Sequence, residues 1–511
     1  MDVCNAREHG LLGNGTTNDQ PALAALVEKL GHAYAKDGRP RVIYVPPGEY
    51  LIADYQTIWK SGVSLIGAAP GATRFVLSAK SAVSLARYLE ADGASTQSPL
   101  ADCTFKLFEI DGSRVQTSSY DPRAKGLDLQ YLLRGMFRDI YIHDTAATGF
   151  GCDHLQDSTI QGVVAERCGR LNNGKQPGGA GIGIGIGGWG AIERLDIIDC
   201  IANANLRHGI FVELQASKPV RPRGIKILGC HCTGNRYGIS DWGAEGLVVS
   251  SCIICENHEV GFDVSAEGTS QKAGRGGMVG ECLIDGNGRD GVSIGNTHGA
   301  YTVRSNRISH NGRYGYYEHN IKDDPEPGRE IAIEANEIWK NGLDGIHLAA
   351  PMVDPSIVGN RIRNNGRRRA PAARGAGVYT EMTLKDEAAR WPRDGHKGKT
   401  VLAAGMQALV AANSENELFL FPCQPGAKLA WEKGPPPAGT QYLLDDAPPV
   451  RAGICIASRV VGAWIRGNRI WDNQESRTQN EDLHIADGGQ LNGVRSEFQD
   501  QQTSDPKVLK F

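Results

Sequence analysis

Three carboxylates and six rings recur at one place in a repeated phrase. Glu213, Asp241 and Asp263, with Phe211, Trp242, Tyr317, His319, His347 and Tyr379, each stand two to four residues after a Gly that closes that phrase. Paired carboxylates can work on a glycosidic bond, with retention at a separation of about 5 Å and inversion at roughly 6.5–9.5 Å. Neighbouring strands of a parallel stack lie about 4.8 Å apart. Glu213 with Asp241 or Asp263, one or two coils away, therefore meets either spacing. Flat rings stack on sugar faces while acids and imidazoles read hydroxyls, so the set suits an extended glycan. Such chemistry needs an element that presents all of these side chains on one face.

The repeated phrase supplies that element. It is a short apolar run, an Asn, a few polar residues, then Gly and an apolar residue, as in LGCHCTGNRYGIS at 228–240 and EANEIWKNGLDGIHL at 334–348. Its Asn falls at Asn203, Asn235, Asn257, Asn287, Asn311, Asn341 and Asn365, in steps of 22 to 32 residues. A period in that range marks stacked repeats. The apolar runs are short, rich in Ile, Val and Cys, and broken by Asn-Gly, which is strand and turn chemistry; the helical spacing of three and four is missing. The spacing predicts a parallel β-helix with an Asn amide ladder linking the coils. With the residue after each Gly facing inward, strand alternation turns Phe211, Ser240, Asp263, Ser293, Tyr317, His347 and Tyr379 outward, and then Glu213, Trp242, Ser265, Gly295, His319, Ala349 and Glu381. A slip of one residue would bring out Asp241 and Glu318 instead.

Composition agrees with many short strands around a thin aliphatic core: 511 residues, 65 Gly, 40% hydrophobic and only 7% aromatic. A net charge of −3 gives no field favouring nucleic acid or an anionic membrane. No run of about eighteen apolar residues is present. The N-terminus MDVCNAREHG carries no leader pattern, so the expected location is cytoplasmic or secreted without a visible signal peptide. Cys200, Cys230, Cys232, Cys252, Cys255 and Cys282 sit at strand positions and read as an interior column of thiols rather than disulfides. The thirteen His show no paired metal spacing, and no metal site is expected. The alternation GIGIGIG at 181–187 predicts a strand with one bare face, open to close approach by a substrate or loop.

Asn18 or Asp19 would cap a helix carrying Pro21 in its first turn and an apolar stripe of Leu23, Leu26, Val27 and Leu30. Periodicity stops after Glu381 and returns at VVGAWIRGNRIWDNQ, 460–474. The expected organisation is a cap and β-helix over 1–382, an inserted β-hairpin subdomain over 383–450, and the last coils with a polar cap or tail over 451–511.

The opening resembles pectin-lyase-like right-handed β-helix proteins. Gly10, Gly13, Gly15, Thr17, Asp19 and Ala22 match the motif of their first helix, and Val45, Pro46, Pro47, Gly48, Tyr50 and Ile52 match the VPPGxYxI strand that follows. The resemblance implies an all-β right-handed parallel β-helix whose N-terminal helix covers the open end of the coil. Within that superfamily, GFGCDHLQDS at 149–158 and NLRHGIFVE at 205–213 resemble two segments of the mannuronan C5-epimerases, through Gly149, Gly151 and Asp153 and through Arg207, His208 and Gly209. The resemblance implies that Asp153 and His154 or His208 move the uronate C5 proton while Arg207 neutralises the carboxylate. Two departures stand out: the position of the family's catalytic Tyr is Phe150, and His154 follows Asp153 directly.

The expected function is a carbohydrate-active enzyme of epimerase or lyase type. Its alternatives are a glycoside hydrolase or intramolecular glycosyl (fructosyl-type) transferase with paired carboxylates, and a non-catalytic glycan-binding phage tail or surface protein. The catalytic candidates are Asp153, His154, Arg207, His208, Glu213, Asp241 and Asp263; the substrate-binding candidates are Phe211, Trp242, Tyr317, His319, His347 and Tyr379. No cofactor is expected, although Asp241 and Asp263 would suit Ca2+, which many lyases of the superfamily use. The expected partner is a carbohydrate, with neither nucleic acid nor membrane, and the architecture admits a homotrimer.

Overall fold

A computed structural model describes residues 2–117, 120–170, 178–215, 220–265, 273–295, 300–320, 327–367, 372–423, 427–444, 451–493 and 495–497. The chain divides into two compact units, one of residues 1–235 with 240–252 and the other of 236–239 with 253–511. Each is built of short parallel strands stacked coil on coil, the right-handed parallel β-helix expected.

In the first unit a helix, α1 (Gln20–Asp37), lies at the start of the stack and packs against the strand Val63–Gly67. Leu23, Leu26, Val27 and Leu30 form its buried stripe, and Gly38 ends it at φ 68°, donating its N–H to the Tyr34 carbonyl. Asp19 stands at the N-cap position without a side-chain cap, while Asn18 Oδ1 accepts the Gln20 N–H at 3.2 Å. The Asp19 carboxylate accepts the N–H groups of Leu12 at 2.5 Å and Gly13 at 3.2 Å, fastening the preceding turn.

Four strands carry the face of interest: β1 (Leu127–Leu133), β2 (Phe150–Gln156), β3 (Ile182–Ile186) and β4 (His208–Leu214). All pair in parallel, which aligns Leu127, Phe150, Ile182 and Ile210 in one inward column and Leu129, Cys152, Ile184 and Val212 in the next. These eight side chains are buried, and Phe150 meets Phe137 edge-on at 4.8 Å. Outward lie Asp128, Gly151, Gly183 and Phe211, then Gln130, Asp153, Gly185 and Glu213.

The second unit repeats the scheme. Strands β5 (Val260–Val264), β6 (Val292–Gly295), β7 (Tyr316–His319), β8 (Ile346–Leu348), β9 (Ala452–Ile456) and β10 (Glu481–Ile485) stack in parallel. On another side of the coils Ile254, Ile284, Ile308, Ile338, Ile362 and Ile470 align one above the other. Each such buried side chain contributes roughly 1.5–3 kcal/mol. Beside them runs the amide ladder: Asn257, Asn287, Asn311 and Asn341 each donate from Nδ2 to the Oδ1 of the next Asn at 2.9 Å, ending Asn341 to Asn365 and then to Gln479. Backbone N–H groups donate to the same oxygens, so these buried amides are saturated.

Two expectations are corrected and one feature is added. In the first unit the ladder residue is Asn205, which donates to Asn235 at 3.0 Å, whereas Asn203 turns outward and accepts the N–H of Thr233. A second ladder, Asn306 to Asn336 to Asn360 to Asn468, runs parallel and was not anticipated. Cys200, Cys230, Cys232, Cys252 and Cys282 are interior, but Cys255 lies on the outward side of its strand.

The antiparallel part begins at Ala373, earlier than the expected 383. Seven strands between Ala373 and Leu444 form a sheet with its own core of Leu384, Trp391, Val401, Val410, Trp431 and Leu444. Helix-stack pairing resumes beyond it, Ile346 beside Ile454 and Arg361 beside Arg469. Residues 498–511 of the expected polar tail lie outside the described residues.

Candidate active site

The bare strand β3 is the floor of the site. Ile182, Ile184 and Ile186 fill the core while Gly183 and Gly185 leave the outer face without side chains. A Cβ on Gly185 would lie 2.5 Å from Asp153 Oδ1 and 2.6 Å from Gln215 Oε1, and one on Gly151 would lie 2.4 Å from Lys125 Cδ. The glycines therefore let polar side chains of neighbouring coils fold over the floor.

Acids bracket it. Asp153 precedes Gly185 in the column and Glu213 follows it, two coil steps or about 9.6 Å apart along the stack. Asp153 accepts the Gly185 N–H at 2.9 Å and the Gln130 amide at 3.3 Å. Glu213 accepts the Gln215 amide at 3.3 Å. Asp128, one strand back, accepts from the Tyr55 hydroxyl and from Lys125 Nζ at 2.8 Å.

Two cations complete the ring. Burial works against the Lys125 ammonium, but the charges of Asp153 and Asp128 outweigh it and raise its pKa above the ordinary range. The Arg207 guanidinium lies 5.2 Å from the Trp242 ring and 5.9 Å from Phe211, which stand edge to face at 5.1 Å. That aromatic corner holds the cation in one orientation. Tyr120 joins the same charge cluster: burial raises its phenol pKa, with Lys125 and Arg207 pulling back and Glu213 adding to the rise.

Of the sequence candidates, Asp153, Arg207, Phe211, Glu213 and Trp242 belong to this first-unit face. His208 stacks flat on Phe211 at 4.2 Å, is 1% exposed, and shares a 2.9 Å hydrogen bond between Nδ1 and Ser240 Oγ. It supports the aromatic corner from behind. His154 has a left-handed backbone at φ 58°, is packed 4.7 Å from Tyr131, and its Nδ1 accepts the Gly188 N–H at 3.0 Å. Nε2 therefore carries the ring proton, and burial lowers the pKa. Asp241 is corrected: it is fully buried, and Oδ1 accepts the N–H groups of Gly243 and Ala244, so it closes a turn and the one-residue slip does not occur. Glu318, its counterpart in that slip, is buried against the Tyr316 hydroxyl.

Sequence reasoning missed Lys125, Tyr120 and Glu193. The first two sit in the segment before β1, where no period marks them. Glu193 is an acid at an inward strand position, 1% exposed, whose Oε1 accepts the N–H groups of Gly187 and Trp189 at 2.9 Å. Burial raises its pKa to about 7, Asp153 adding to the rise against the backbone donors. The turn it ties presents Gly188 N–H to His154 Nδ1 and Trp189 Nε1 to the His154 carbonyl.

In the second unit the outward column is Asp263, Ser293, Tyr317, His347, Cys455 and His484. Tyr314 stacks on Tyr317 at 5.0 Å and on His347 at 4.3 Å, Tyr317 on His319 at 5.7 Å, and Arg313 lies over both Tyr rings. Asp263 accepts the Ser265 hydroxyl at 2.7 Å. Tyr379 is corrected: it is a core residue of the antiparallel sheet, packed on Trp431 at 5.5 Å, and Cys455 takes the place expected of it in the column. Asp241 is thus not the outward hard ligand expected of it, since its Oδ1 serves the Gly243 and Ala244 N–H groups. Among the described residues the one group of three metal-capable side chains is Asp344, His347 and Cys455.

Fold and face together define a parallel β-helix of the pectate-lyase type with an acid- and cation-lined outer sheet. The chain belongs to the family described as rhamnogalacturonase A/epimerase, pectate lyase-like, whose model matches residues 3–263. Residues 197–382 also match the model described as periplasmic copper-binding protein (NosD). The mannuronan C5-epimerase AlgE3 of Azotobacter vinelandii is 29% identical over 199 residues, covering 32% of this chain and 10% of the relative. The chain thus spans about a tenth of that relative's length. Among solved structures, the Dettilon tailspike protein superposes with a TM-score of 0.51 at 10% identity, covering 87% of this chain and 93% of that one. The surface adhesin PfbA of Streptococcus pneumoniae gives 0.50 at 9%, covering 96% and 100%.

Proposed function

We propose that the first unit seats a uronate residue of a poly- or oligosaccharide over Gly183 and Gly185 and removes the proton next to its carboxylate, as an epimerase or lyase. The observation that carries this is the pair of cations, Lys125 and Arg207, set with the Tyr120 phenol beside a floor bracketed by Asp153 and Glu213. Loss of the C5 proton puts negative charge on the carboxylate as an enolate. Lys125 and Arg207 stabilise that charge more than the ground state. Asp153 takes the proton from one side. Tyr120, its phenol kept protonated by burial, returns a proton at C5 in an epimerase or at the leaving oxygen in a lyase. It supplies the hydroxyl that the Phe150 position lacks, since that ring lies in the core. Phe211 and Trp242 stack on neighbouring sugars. The similarity to AlgE3, a mannuronan C5-epimerase by name, supports the substrate class.

The test is incubation in D2O with polymannuronate, polygalacturonate and neutral glycans. Deuterium at C5 without chain cleavage marks an epimerase, and a new ultraviolet-absorbing C=C bond marks a lyase. No exchange and no cleavage on any uronate refutes the reading.

A hydrolase reading is favoured by one observation, the two-coil separation of Asp153 and Glu213, close to the upper end of about 9.5 Å for inversion. New reducing ends without unsaturation would establish it. A non-catalytic glycan binder, to which the tailspike and adhesin neighbours lend support, would show retention on a uronate column with no product.

A further inference from the structure

We propose that Asp344, His347 and Cys455 form a zinc-binding site on the outer sheet of the second unit. One ligand atom from each lies within 4.8 Å of the others. The set spans a coil boundary, since His347 and Cys455 are directly paired neighbours on β8 and β9.

Two internal comparisons separate this group from ordinary packing. Asp290 and Asp344 occupy equivalent places before the repeat Gly, and Oδ1 of each accepts a backbone N–H of the next coil, Tyr314 at 3.2 Å and Ala452 at 2.6 Å. That structural task is shared. Asp290 then pairs with Arg313, whereas the second oxygen of Asp344 meets His347 Nδ1 at 2.7 Å. The thiols differ likewise. Cys200, Cys230 and Cys252 of the first unit point into the core and donate to carbonyls of their own coils. Cys455 stands instead in the outward column between His347 and His484, yet is only 5% exposed.

The chemistry of the set selects the ion. Thiolate, imidazole and carboxylate together suit zinc, whereas calcium requires six or more oxygens. Zinc bonds of about 2.0–2.3 Å would replace the 2.7 Å Asp344–His347 hydrogen bond and open that pair to about 3.3 Å. Tyr314, stacked on His347 at 4.3 Å, fixes the ring, and the fourth position is left for water or a ligand. A bound dication would hold Cys455 as the thiolate. Arg451 lies close enough to Asp344 to oppose the ion, and Glu481 favours it.

The test uses the full chain, reduced and stripped with a chelator, titrated with Zn2+ against a chromophoric competitor and with Co2+ as a spectroscopic probe. One metal per chain is expected, with a thiolate-to-cobalt charge-transfer band. Cys455→Ser should abolish the band and weaken zinc at least about tenfold, His347→Ala should weaken it similarly, and Cys423→Ser, at an exposed thiol, should change neither. Circular dichroism confirms that each variant is folded. Absence of stoichiometric binding by the wild-type chain, or a Cys455→Ser protein that keeps both band and affinity, overturns the proposal. Neither outcome depends on activity at the first-unit face.

Discussion

The outer sheets of the two units share a register and differ in what they do with it. In the first, successive coils present Asp128, Gly151, Gly183 and Phe211, and the missing side chains open a floor over which Lys125 and Gln215 reach. In the second, the column reads Ser293, Tyr317, His347 and Cys455, and stacked rings cover the strands. The inward columns of both are buried and mostly aliphatic, with Phe150 and Cys152 in the first and Phe262, Tyr316 and Glu318 in the second. Architecture is therefore set by one half of the alternation and chemistry by the other, and glycine at the outward half is as informative as a charged residue.

The sharpest way to break that contrast is to remove the hydroxyls. Tyr120→Phe should lower kcat on uronate polymers by about a hundred- to ten-thousand-fold with little change in KM, while Tyr317→Phe leaves kcat unchanged. Equal losses in steady-state assays would abolish the distinction between the faces. Next in size, Arg207→Ala should cost on the order of 10²–10³ in kcat/KM, with part recovered by Arg207→Lys, measured on the same polymer.

Glu193 offers a contrast in pH. Its folded pKa near 7 lies above the unfolded value near 4.5, so it favours folding fully below about pH 4.5 and loses that contribution as pH rises through 7. Denaturant titrations of Glu193→Gln should show that decline removed, an effect of about 3 kcal/mol. Smallest, Asn311→Ala interrupts the second-unit ladder and strands the Asn287 amide. Urea unfolding should show a loss of about 1–3 kcal/mol, with the first-unit activity kept.

Much of this was legible because period and alternation are one-dimensional signals. The outward set Phe211, Asp263, Ser293, Tyr317 and His347 followed from the Gly register, since a strand cannot slip by one without exposing its Ile column. The errors arose where a local string satisfied two patterns. The sequence AGVYT at 376–380 has the repeat's Gly-apolar-ring spacing, yet the chain has already left the coil at Ala373. In IANAN at 201–205 two Asn lie two apart, and only burial distinguishes Asn205 from Asn203. Tyr120 and Lys125 could not be read at all, because a loop residue reaches its partners through tertiary folding alone.

The inserted sheet has a consequence for how the second stack is completed. Its first and last strands zip together, Ala373 opposite Leu444, so the two ends of the excursion leave the coil side by side. To the coil, a detour of roughly seventy residues then resembles a tight turn. Joining Asn365 to Gln479 across an unstructured detour of that length would cost about 2 kcal/mol more than across a short bridge. An insert that folds early would prepay that closure, so the last rungs of the stack should form only after this small domain has condensed.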